Sequence, residues 1–151
     1  MKEAFEITTT SRKMLALLIE NLTLEQLNTV PNGFNNNIIW NIGHIIVVQQ
    51  MLVYNLSGLP MSVTADDVAH YKKGTKPAGD TTIEEVERLK QLLFTTIAQT
   101  EADFAAEKFQ RFMEFTVMTG FVIKNVQDAI AFNYYHEAIH TGVIMSLKKL
   151  V

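Results

Sequence analysis

The stretch NVQDAIAFNYYHEAIHTGVIMSLKK, from Asn125 to Lys149, decides the fold. Asn125 offers an N-cap, Asp128 puts an acid in the first turn, and Lys148 and Lys149 place positive charge where a helix C-terminus favours it. At about 100° per residue, Ala129, Asn133, His136, His140, Val143 and Leu147 share one stripe. The segment is therefore predicted as one long helix with that stripe turned to a core, carrying two histidines inward.

Working outward, NNNIIWNIGHIIVVQQMLVYNL (residues 35–56) has N-cap candidates in Asn35, Asn36 and Asn37 and an apolar run ended by Gly58 and Pro60. The same projection groups Asn37, Trp40, Asn41, His44, Val48, Met51 and Asn55, so His44 also points inward. Helical spacing recurs near residues 3–21 (Phe5, Ile7, Leu15, Leu18, Ile19, Leu22), and after Thr81-Thr82-Ile83-Glu84, read as a capping box, in Ile83, Val86, Leu89, Leu93, Ile97 and Phe104. Thr23-Leu24-Glu25-Gln26 is a further capping box, predicted to start a short helical turn that stops before Pro31. Residues 59–79, with two glycines and two prolines, read as a long irregular connection. FQRFMEFTVMTGF (residues 109–121) reads as a short strand pair or an extended crossover. Four long helices with no repeated strand pattern predict an all-α, four-helix bundle with a long loop between helices two and three.

The 151 residues fit one domain, spanning 1–151, long enough to bury a core without staples. Hydrophobic residues at 48%, charged residues at 19% and a mean hydropathy of +0.09 describe a globular protein, too apolar for disorder and too mixed for a membrane. The net charge of -3 comes from interspersed signs, with no basic stripe to neutralise phosphates, so neither nucleic acid nor a membrane surface is expected as a partner. No cysteine is present, which excludes disulfides, thiolate metal sites and a cysteine nucleophile. The N-terminal segment lacks the pattern of a signal peptide, so a cytoplasmic location is expected.

Two inward histidines one turn apart, faced by a third, are costly as bare imidazoles, since each unmet buried polar group costs roughly 1 to 3 kcal/mol. A divalent ion resolves this, because His136 and His140 at i and i+4 present two nitrogens to one side of it and His44 completes a triad with open positions. Core imidazoles bonded to carbonyls are the plainer alternative. His70, among Lys72, Lys73 and aspartates, reads as a solvated surface residue. His136-Glu137-Ala138-Ile139-His140 also spells HExxH, in which the glutamate is general base to a metal-bound water; Glu137 is the catalytic candidate on that reading and a helix-flank carboxylate otherwise. No third histidine or later glutamate follows His140, so the third ligand must come from upstream, at His44. Trp40, Met51, Phe132 and Tyr134 are candidate pocket-lining residues. Gly43 and Gly142, each costing about 1 kcal/mol relative to Ala inside a helix, suggest close helix approach near the ligands.

With Trp40 four residues before His44 in NNNIIWNIGHI, a long loop into helix three, and His136 and His140 on the terminal helix, the chain resembles the DinB-like (DinB/YfiT) family over essentially its whole length. The resemblance implies a four-helix bundle binding zinc, nickel or a similar ion through His44, His136 and His140. It also implies a thiol S-transferase-like or hydrolase-like activity on a small molecule, since some relatives transfer thiols with bacillithiol or mycothiol as cosubstrate and others are mycothiol-dependent isomerases. The alternative is a non-catalytic metal-binding or interaction bundle, as a homodimer.

Overall fold

The computed structural model describes residues 1–151 and is mostly helical. The four expected long helices are α1 (Lys2–Ile19), α3 (Ile38–Gln50, prolonged by a π-helical turn Met51–Asn55), α5 (Ile83–Ala105) and α6 (Val126–Leu147). Two short helices accompany them, α2 (Leu24–Asn28) and α4 (Ala65–Tyr71), with an antiparallel pair β1 (Phe115–Thr116) and β2 (Val122–Ile123). Helices α1 and α3 each pack on both α5 and α6.

Local chemistry sets the element ends. Thr23 caps α2 in a reciprocal box with Gln26, and Asn37 caps α3 by accepting from the Trp40 amide at 2.8 Å. Asn125 caps α6 through the Asp128 amide. The cap of α5 lies one residue beyond the expected one, since Thr82 accepts from the Glu85 amide and no reciprocal bond forms. Gly58, at φ +67°, ends the α3 region in a Schellman pattern: its amide reaches the Asn55 carbonyl and the Leu59 amide reaches Tyr54. Lys148 caps a neighbouring helix rather than its own, since its Nζ donates to the Leu18 carbonyl in the last turn of α1 at 2.7 Å. The expected irregular connection is the main departure. Thr64 and Asp67 form a capping box there and nucleate α4, whose Tyr71 buries its ring against α3.

The interior is divided along its length. One apolar cluster gathers Leu15, Ile19, Ile42, Leu89, Leu93 and Ile144; a second gathers Phe5, Leu52, Ile97 and Ile130. Between them each long helix contributes polar side chains: Arg12, Gln49 and Gln50, Thr96, and Asn133 with Glu137, all buried. Arg12 is 0% and Glu137 1% exposed. The guanidinium grips the carboxylate with two bonds, Nε to Oε2 at 3.1 Å and Nη2 to Oε1 at 2.7 Å, while Nη1 donates to the Leu93 carbonyl and the Thr96 hydroxyl. One residue of α1 thus ties α5 to α6. Gln49 extends the layer by donating to the Thr100 hydroxyl, and Gln50 links Gln49 to the Ser62 amide.

Removing one member of such a pair strands a buried charge. Arg12→Leu is expected to lower the unfolding free energy of the metal-free protein by about 3 to 5 kcal/mol, and Arg12→Leu combined with Glu137→Leu to recover most of it. Urea denaturation reads both; a single-variant loss below about 1 kcal/mol would mean that water reaches the pair.

Candidate metal centre

The three histidines named from the sequence converge. His44 of α3 and His136 and His140 of α6 each present one nitrogen such that the three ligand atoms lie within 4.8 Å of one another. Ring centroids are 4.6 Å apart for His44 and His140, 4.6 Å for His136 and His140, and 5.2 Å for His44 and His136.

Two of the rings are held from behind. His44 Nδ1 donates to the Tyr71 carbonyl at 2.6 Å, because a carbonyl only accepts, and this fixes the tautomer whose Nε2 carries the lone pair. His140 Nδ1 donates to Asn41 Oδ1 at 2.8 Å, and the Asn41 amide nitrogen is in turn spent on the Asn37 carbonyl at 2.7 Å. Such outer partners orient a metal-binding imidazole and raise its basicity. The ring of Trp40 stacks on His44, centroids 4.7 Å apart and planes 14° from parallel. His136 differs: its Nδ1 is buried and meets no hydrogen-bond partner. The donor set fits a divalent ion of the zinc or nickel type, which accepts imidazole, and not magnesium or calcium, which need oxygen.

Electrostatics keeps the triad in its ligand form. Burial pushes the His136 imidazole down to about 3, helped by the nearby His140 and His44; burial with the proximity of His44 pushes His140 down to about 4. Burial also lowers His44, against the opposing bond to Tyr71. All three are neutral at pH 7, the state a metal requires.

The helix that the sequence reading missed completes the site. Tyr71 lies so close over Gly43 that a Cβ there would sit 2.5 Å from its ring, so Gly43 marks the close approach of α4, whereas nothing lies within 4 Å of a Cβ at Gly142. Trp40 Nε1 reaches the His70 carbonyl and the Thr75 hydroxyl on the same segment. Helix α4 is fastened to α5 by Arg88, which pairs with Asp67 and Glu85. Burial alone would raise the Asp67 carboxyl, but the bonds from Arg88 and Thr64 hold it below its ordinary range. The His70 ring is exposed and stands outside the triad. A cleft of about 570 Å³ beside α4 includes Trp40 and Tyr71 but none of the three histidines.

Glu137 corrects the HExxH reading. It is neither a flank carboxylate nor turned to the triad: both oxygens are taken by Arg12, and Oε1 also accepts from the Asn133 amide at 2.7 Å. No carboxylate joins the three histidines. Among the expected pocket residues, Trp40 touches the site, Met51 packs on the first apolar cluster, and Phe132 packs on the second and stacks on Phe121. Tyr134, two positions before His136, projects about 200° away around the helix and is exposed.

The profile of the DinB superfamily matches residues 7–144. The chain belongs to the DinB superfamily. Among curated proteins no sequence matches it. The DinB match covers most of each of the four long helices and includes His44, His136 and His140.

Two outcomes follow from this geometry. Gly43→Ala is expected to displace the Tyr71 ring, loosen the carbonyl on His44 and weaken zinc affinity roughly 10- to 100-fold, as loss of an outer-shell contact does; competition with a chromophoric chelator measures it, and parent-like affinity would show that Tyr71 does not position His44. In chelated protein the unfolded chain binds protons near pH 6.5 that the folded histidines refuse until about 3 to 4. The folded state therefore loses stability as pH falls through that window, and His136→Ala/His140→Ala should flatten the dependence in acid-titrated urea melts.

Proposed function

We propose that this DinB protein is a metal-dependent enzyme on a four-helix bundle, in which His44, His136 and His140 hold zinc or nickel and a small-molecule thiol is transferred to an electrophile. The observation that carries the reading is the all-imidazole triad with no carboxylate completing it, because Glu137 is consumed by Arg12. A structural metal site closes its coordination with a fourth protein ligand, whereas a catalytic one leaves a position for substrate.

A bound ion would supply Lewis acidity there, lowering the pKa of a coordinated water or thiol toward neutrality. The chain's own residues favour the thiol. Three neutral imidazoles bring no negative charge, so they leave the charge of the ion to an anionic ligand such as a thiolate. Hydrolysis would call on a carboxylate to take a proton from water, and Glu137 is tied to a guanidinium. In the transfer the thiol proton leaves to solvent, sulfur forms the bond to the electrophilic carbon, and the leaving group departs with the bonding pair. Trp40 covers one face of His44 and keeps that side dry, while the Tyr71 carbonyl and Asn41 hold two of the rings in register.

The test begins with metal content. Untagged protein is expected to carry close to one equivalent of zinc or nickel by plasma mass spectrometry, and the His136→Ala/His140→Ala variant to carry none. The loaded parent should then consume thiols such as bacillithiol or mycothiol with a chlorinated aromatic electrophile, an activity abolished by chelation and restored by metal. A parent that takes up no divalent ion on reconstitution would overturn the proposal, and metal uptake with activity only on hydrolysable esters would move it to the hydrolase class.

A further inference from the structure

Two of the three histidines have an orienting partner and the third has none, although its back nitrogen is buried. On the same helix, one turn earlier, Asn133 carries the complementary defect. Its Oδ1 is also buried without a partner, while its Nδ2 is fixed on Glu137 Oε1 at 2.7 Å. That bond settles the amide's orientation, because a carboxylate only accepts, so the nitrogen must face Glu137 and the oxygen must face away. Residues three apart on a helix are neighbours on its surface. His136 at i+3 from Asn133 thus places its unpartnered Nδ1 within a turn of an unused carbonyl oxygen.

We propose that Asn133 is the third orienting residue of the metal centre: its Oδ1 accepts, through one bridging water, from His136 Nδ1–H, while His136 Nε2 faces the ion. The inference rests on the metal reading above and adds a role for the buried ion pair. Arg12 grips the Glu137 carboxylate in the interior; Glu137 holds the Asn133 amide; Asn133 holds His136. The buried charge network of α1 and α5 then positions a ligand on α6 without touching the metal. Asn133 is a positioning residue, and Arg12 and Glu137 act through it.

Long-range proton–nitrogen correlation spectra of protein labelled at histidine and loaded with zinc give the first readout and need no variant. Three Nδ1–H, Nε2-coordinated rings are expected, with the His136 proton slow to exchange; Nδ1 coordination of His136 would overturn the proposal. Asn133→Leu, close in size and without the amide, should erase that slow His136 proton and weaken zinc binding roughly 10- to 100-fold. It should leave the His44 and His140 protons in place. If Asn133→Leu does not fold, Asn133→Ser in the same spectra serves. Unchanged zinc affinity and an unchanged His136 proton would overturn the inference while leaving the metal centre intact. A parent that binds no zinc would overturn the metal reading and this one together.

Discussion

The Arg12–Glu137 ion pair is the constraint around which the interior is arranged. A guanidinium and a carboxylate, both removed from water, are tolerated only when their remaining donors and lone pairs are met. The chain meets them with the Leu93 carbonyl and the Thr96 hydroxyl on α5 and with Asn133 on α6. Because the pair and these partners together span three helices, the pair fixes the relative rotation and height of α1, α5 and α6 more tightly than apolar contacts do. Isoleucines and leucines above and below could slide by a fraction of a turn at small cost; a bidentate pair cannot. The metal ligands on α6 inherit that precision, since Glu137 lies next to His136 in the chain while pointing about 100° away from it.

The opposite wall of the triad is set by a different device. Helix α3 is so apolar that nothing on it alone specifies how its inward stripe meets the rest of the chain. Gly43 removes a side chain at the point where Tyr71 lies, and the carbonyl of that same tyrosine ends on His44. Tyr71 therefore reads the position of α3 with its ring and reports it to the ligand with its backbone. Arg88, gripping Asp67, keeps α4 from drifting off. Each side of the centre thus depends on an ion pair that lies outside the coordination shell.

The long helices and the histidine triad were legible in sequence because each rests on a local, periodic signal: caps at Asn37 and Asn125, apolar steps of three and four, and two histidines at i and i+4. Helix α4 was not, since glycines and prolines crowd residues 58–79 and its seven residues are too few to show a period; the Thr64-to-Asp67 capping box was the available sign. Arg12 was missed for another reason. It occupies an inward position in the run Phe5, Thr8, Arg12, Leu15, Ile19, and its spacing alone marks it as buried, but a charge at such a place is legible only once its partner is known. Glu137 was drawn to the wrong role by its motif. HExxH describes a geometry in which the glutamate faces the metal, and the identical letters serve here on a helix whose next face is occupied by a guanidinium.

That reversal bears on chemistry more than on fold. In a zinc protease the motif's carboxylate is free to exchange protons because nothing neutralises it permanently. Here the carboxylate is one half of a buried pair, with both of its oxygens engaged by Arg12. Glu137 is thereby kept out of the histidine cluster by geometry. The same helix-borne sequence is thus divided between two duties, the histidines facing a ligand and the glutamate facing the core. Under the metal-dependent transfer proposed above, a substrate at the open side of the triad brings a group acidic enough to ionise on metal contact without help from a side-chain base. Thiols meet that requirement with an ordinary pKa of about 8.5, a shorter fall than the one from 15.7 to about 7 that a bound ion must impose on water. The ion pair that holds the helices together therefore also withdraws the motif's carboxylate from the histidines.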